Sequence, residues 1–453
     1  MSGHLPGDWW WWIRMNNGKP QPDSPAQQQL QSNIRKKAQI DLSIEVVLLV
    51  VGGVFFLLFG VLLFLIDRGL LPYSEGSMYG IFVVLVSMQI ITMGKTPFGD
   101  VLRSWLVVVI GLIAAMLGTL AIFYPVHLSE TIRIIAGLIV LVAGAVGMLQ
   151  LFISEDRARG WMKVPGILQQ LTVACVLVYG IEIVLGIITL LPGIMPNPLT
   201  AVFLLLFGAS LLFLARCIHM AAHQYRSTEG KRVLEPSTPK RGFFLLKKTS
   251  LTVGNSFNIY QGSLLILLGI LVLLMILGII PSFNSDGQLG LLLVLTSLQL
   301  LALGEFMGSE LSRSWPAIAL GILFAAAGFF SCIVPGVLTG VIQSLIGFQN
   351  IISGALILAT KIAGPMLYQI SHPPAEPVAF PPIVRQLALV LTVTGIVTIL
   401  FGINMLAPLL LPGLFGMVAY ALLLPLLIII MGLMVLILVA ITQKLNGMSA
   451  PSP

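Results

Sequence analysis

The chain is a succession of apolar stretches, each about long enough to cross a bilayer, and this constrains it more than any motif does. A hydrocarbon core about 30 Å thick takes roughly 20 apolar residues of helix to span. Such stretches lie near 45–66, 79–94, 106–124, 132–153, 167–190 and 199–217. After a polar interval, six more lie near 260–280, 288–304, 316–335, 341–360, 386–410 and 414–441. The second and eighth are short, and the last is interrupted by Pro425. Length alone would allow a chain of 453 residues to be several soluble domains. With 57% hydrophobic and 9% charged residues that reading fails, because a soluble domain carries roughly 25% charge. The expected fold class is an all-α polytopic membrane protein with 12 transmembrane helices.

Lysine and arginine orient it. With twelve spans and an internal N-terminus, 22 of the 24 basic residues fall on the inner side, and only Arg68 and Arg133 fall outside. Both termini are therefore expected in the cytoplasm. The basic balance reads as topology, with the lipid bilayer as partner and no nucleic acid. The expected segments are a tail (1–44), a first six-helix unit (45–217), a basic linker (218–254), a second unit (255–441) and a C-terminal tail (442–453). Three cysteines without C-x-x-C spacing give neither a disulfide framework nor a zinc site. No phosphate loop, H-E-x-x-H or nucleophile elbow occurs. The expectation is a non-enzymatic protein with no metal and no cofactor.

Gly94 to Gly144 reappears without a gap, 210 residues on, as Gly304 to Gly354. Arg103-Ser104-Trp105 matches Arg313-Ser314-Trp315. Gly111, Gly118, Pro125, Gly137 and Gly144 match Gly321, Gly328, Pro335, Gly347 and Gly354. Gly80, Ser87 and Gln89 pair with Gly290, Ser297 and Gln299, and at an offset of 216 Gly186 and Pro192 pair with Gly402 and Pro408. Because six spans is an even number, the copies enter the membrane in the same direction, as parallel repeats about an axis along the membrane normal. Within each copy the odd-numbered helices carry two glycines six or seven residues apart, followed in four of the six by a proline. Seven residues advance a helix by nearly two whole turns, so both glycines share a face on which another backbone can approach. Each copy is expected to be three helical hairpins, with the proline ending the first helix at its turn.

This hairpin pattern resembles the HdeD family of bacterial inner-membrane proteins. The resemblance implies a bacterial inner-membrane location, a part in acid resistance or envelope stress, and no catalytic residues. It departs from the family in being a fused pair of six-span units with a tail of about 40 residues.

A few polar residues stand out. Glu182 lies well inside the fifth span, where an ionisable group is costly and serves either a proton site or helix packing. Its second-copy counterpart is Thr398. Gln89 and Gln299 read as a polar path near the axis or as interhelical bridges. Lys95 and Glu305 occupy equivalent inner loops with opposite signs and could pair between copies; an exposed pair is worth only about 0–1 kcal/mol. Trp105 and Trp315 read as interfacial anchors. Trp9, Trp10, Trp11 and Trp12 suit either the lipid surface or a protein partner. Three functions follow in order: an HdeD-like stress protein, a proton-coupled transporter with a 6+6 repeat, and a scaffold that recruits a partner.

Overall fold

The computed structural model describes residues 44–92, 105–153, 162, 166–225, 253–281, 285–306, 315–363, 382–410 and 417–449. In chain order the helices are α1 (Ile44–Asp67), α2 (Glu75–Thr92), α3 (Trp105–Phe123), α4 (Pro125–Ile153), α5 (Ile167–Leu190) and α6 (Asn197–Tyr225). They continue with α7 (Val253–Ile276), α8 (Ser285–Phe306), α9 (Trp315–Ile333), α10 (Thr339–Leu358), α11 (Pro382–Leu410) and α12 (Met417–Ser449). A π-helical turn, Ala359–Ala363, prolongs α10. Among the described residues there is no strand, and nine helices are long and apolar enough to cross a membrane. The three shorter apolar segments fall in α2, α8 and α9. Trp9, Trp10, Trp11, Trp12 and Lys95 lie outside the described residues, as do the side chains of Glu305 and Trp315.

Several helices outrun their apolar stretches. α4 starts at Pro125, where the fixed φ of proline suits a first helical position, and passes through His127, Glu130 and Arg133 before its apolar part begins. α6 runs on to Tyr225 and α12 to Ser449, so helix persists beyond the segments that hydropathy marks. Pro425 and Pro408, expected as an interruption and a helix end, both lie inside continuous helices. In lipid, neighbouring helices can satisfy the backbone group that a proline frees.

The pairing differs from the expected hairpins. The closest pairs are α1 with α6, α2 with α3 and α4 with α5; in the second half they are α7 with α12, α8 with α9 and α10 with α11. Helices joined by the Asp67–Glu75 and Phe123–Pro125 turns, α1 with α2 and α3 with α4, touch far less. The glycines explain the preference. A Cβ on Gly118 would sit 2.7 Å from the Gly80 carbonyl oxygen, and one on Gly328 would sit 2.7 Å from that of Gly290. Likewise a Cβ on Gly208 would approach the Gly53 oxygen to 2.8 Å, and one on Gly402 the Gly347 oxygen to 2.6 Å. In α1–α6, α2–α3, α7–α12, α8–α9 and α10–α11 the small faces thus join a helix to a partner with a matching glycine, and such close backbones gain dispersion contact that lipid cannot supply. Gly111 faces Ile91, Gly137 faces Leu190, Gly144 faces Ile183, Gly321 faces Leu301 and Gly354 faces the Gly395 carbonyl. Gly180, part of the same spacing, faces open space.

α1–α3 and α7–α9 form the boundary between the halves, through reciprocal contacts: α1 with α9 and α3 with α7, α2 with α9 and α3 with α8. The boundary is tightly filled. Phe55 meets Phe329 edge to face at 5.1 Å, and the Tyr260 hydroxyl donates to the Val84 carbonyl at 2.6 Å. The Ser74 amide donates to the Ile333 carbonyl at 3.0 Å. α4 and α5 instead turn Leu138, Val142, Val146 and Leu177 outward, a continuous apolar surface of the kind that lipid covers.

Candidate functional site

α1, α6, α5, α4 and α2 stand around a cavity of about 340 Å³, within the range of small-molecule sites. Its floor is aromatic, built from Phe55, Phe56, Phe59, Phe82 and Phe207. Phe56 is the hub, edge to face with Phe207 at 4.6 Å and with Phe82 at 5.6 Å. Ala136, Val140, Leu185 and Leu204 form the walls. The mouth is polar, lined by Tyr73, Glu75, Tyr79, Arg133, Thr189 and Asn197. It opens at the end of the bundle that carries the α1–α2 and α5–α6 turns, the side expected to face out.

Each mouth residue is set by a helix end. Glu75 opens α2, where the positive end of the helix dipole favours a carboxylate. Arg133 stands two turns into α4, and Thr189 one residue before the end of α5, its hydroxyl donating to the Leu185 carbonyl at 2.8 Å. Tyr79 hydrogen-bonds Thr189 and feels the charges of both Glu75 and Arg133. Asn197 opens α6 and donates to the Asp67 carboxylate at 2.9 Å, which ties the α1 and α6 ends together. Tyr73, in the turn before α2, exposes 37% of its surface, yet its hydroxyl end is enclosed. Burial, then the neighbouring Tyr79 and Glu75, push that phenol well above its usual value, so it stays a neutral hydrogen-bond donor.

The polar residues singled out by sequence lie elsewhere. Glu182 packs its Cβ at the α4–α5 contact, where a Cβ on Gly144 would come within 2.8 Å of it, and it does not line the cavity. Its counterpart Thr398 is buried and returns its hydroxyl to the Thr394 carbonyl at 2.7 Å. Gln89 is half-buried and faces Gly52 of α1, and Gln299 is half-buried on α8; neither lines the cavity. Ser87 and Ser297 are buried, and both donate to a carbonyl three residues back at 2.7 Å, so these two polar side chains are satisfied locally. Trp105 is half-buried at the start of α3. The three cysteines are free and buried, and among the described residues no group of three His, Cys, Asp or Glu could hold a metal.

Sequence reasoning missed the cavity because its residues come from five helices and each is ordinary alone. One signal was present. At the repeat offset, Glu75, Tyr79 and Arg133 become Ser285, Leu289 and Gln343, so the copies diverge where the mouth lies.

Fold and cavity together define a multi-pass all-helical protein of membrane-like character. Compared with known proteins, the chain matches no family model, no curated protein and no solved structure.

Proposed function

We propose that this chain is a non-enzymatic membrane protein of twelve spans, built as two parallel six-helix units with both termini cytoplasmic, that contributes to envelope stress or acid tolerance in a bacterial inner membrane. The observation that carries the architectural part is the glycine pairing repeated in both halves, Gly80 with Gly118 and Gly290 with Gly328. Contacts between the halves that come in reciprocal sets support a two-fold relation between the units. The stress role rests on the glycine and proline spacing that resembles the HdeD family. A deletion strain should lose survival at low pH by tenfold or more, with growth at neutral pH unchanged, and the intact gene should restore it. Equal survival of deletion and parent after acid challenge defeats the stress role.

The rival reading is a proton-coupled transporter with a pathway between the units. It needs a wet route to Glu182, Gln89 or Gln299, and the cavity reaches none of them. In proteoliposomes under a pH gradient, parent protein and Glu182→Gln at matched insertion should both show only background proton flux. Flux in the parent that the substitution abolishes would reverse the ranking.

A further inference from the structure

We infer that the cavity ringed by α1, α2, α4, α5 and α6 binds a zwitterionic amphiphile, with its anionic group at Arg133, its cationic group at Glu75 and its apolar body on the phenylalanine floor.

Charge complementarity carries the argument. Arg133 and Glu75 line one mouth, and among the described residues no ion pair joins them. A lone anion would meet Arg133 but face the Glu75 carboxylate, and a lone cation would have the reverse problem. An uncharged molecule can hydrogen-bond each group but neutralises neither charge. Only a ligand carrying both signs neutralises the two at once, with half-buried Arg133 and exposed Glu75 each meeting an opposite charge. Tyr73 offers a phenol donor to an anionic oxygen, and the rings of Tyr73 and Tyr79, both in the lining, offer aromatic faces to an ammonium. Below them the floor is purely apolar, so the ligand must end in a hydrocarbon or aromatic body.

The second half supplies an internal comparison. Ala136, Leu185 and Thr189 correspond to the larger Ile346, Phe401 and Met405, which are all nearly fully buried. Where the first half has Arg133 and Thr189 both lining the cavity, the second has Gln343 donating to the Met405 carbonyl at 2.9 Å, a closed contact within the protein. At these positions the second half carries larger, buried side chains where the first half has cavity wall, and the two mouth charges have no charged counterpart there.

Two sources share this chemistry: a free zwitterion with an apolar side chain, such as leucine, and a single-chain zwitterionic lipid, such as lysophosphatidylethanolamine. The test uses the full chain in nanodiscs of phosphatidylglycerol, whose headgroup lacks a cation. Saturable binding is measured for leucine, lysophosphatidylethanolamine, and a fatty acid and an alkylamine matched in chain length to the lipid. One zwitterion should bind at least tenfold tighter than either singly charged probe; leucine as that ligand indicates an aqueous source and the lipid indicates the bilayer. Arg133→Gln and Glu75→Gln should each weaken it about tenfold. Val140→Phe, which fills the wall, should abolish binding with an unchanged thermal midpoint. The inference is overturned if neither zwitterion binds saturably, if a singly charged probe binds as tightly, or if binding survives both Arg133→Gln and Val140→Phe.

Discussion

Phe329→Ala should loosen the two halves of the molecule from each other, at a cost of about 3–5 kcal/mol. The ring is 0% exposed and stands edge to face with Phe55 across the boundary between the halves. Phe55 in turn stacks towards Phe82, so truncation leaves a void against an aromatic chain rather than against flexible side chains. An edge-to-face pair adds about 0.5–1.5 kcal/mol beyond its buried area. Two halves co-expressed after a break between residues 226 and 252 should co-purify, and the substitution should sharply lower the recovery of one with the other. Leu323→Ala on the same helix, 62% exposed, should leave recovery and thermal midpoint alone. Equal recovery with Phe329→Ala would show that the halves are held by something other than this aromatic contact.

Gly118→Val should cost about 1–3 kcal/mol through overpacking, and Gly328→Val a similar amount. At both positions the new Cβ alone would stand 2.7 Å from a carbonyl oxygen of the paired helix, a backbone atom that cannot move aside as a side-chain tip can. The helices must separate, and contact along the whole α2–α3 or α8–α9 face weakens with them. Gly180→Ala gives the opposite expectation. Nothing lies within 4 Å of its Cβ position, so the gain in helix propensity, about 0.5–1 kcal/mol, should appear undiminished. Thermal unfolding in one detergent, with all three variants side by side, separates the cases. A midpoint for Gly118→Val equal to that of the parent would remove glycine packing as the basis of the α2–α3 pair.

The apolar stretches were legible because a helix in lipid needs a minimum run of hydrocarbon side chains, and each expected span overlaps one helix. Helix ends were less legible. The 125–131 segment is polar enough to end an apolar window, yet nothing in it breaks a helix once Pro125 has started one. The glycine spacing showed which face of α3 is narrow but not which neighbour uses it, because the partner's matching glycine, Gly80, lies on the preceding helix rather than across the Pro125 turn. Glu182 drew attention as a carboxylate among apolar residues, whereas Arg133 and Glu75 looked like ordinary charges at helix ends. Their meeting at one mouth depends on α2 and α4 lying side by side, a long-range relation that no local pattern records.

The pairing of α1 with α6 also bears on the order of assembly. Among the described helices, α1 leaves the ribosome first and has its closest partner at the far end of its own half, so it must wait while α2 to α5 are made. Until Gly208 arrives beside Gly53, Phe56 has Phe82 but lacks Phe207, and the ring cannot close. Such late, non-local closure is slow compared with docking of sequential neighbours. Stalling translation just before α6 should therefore leave the earlier helices inserted, with α1 still accessible to membrane-soluble crosslinkers, and release of α6 should protect it.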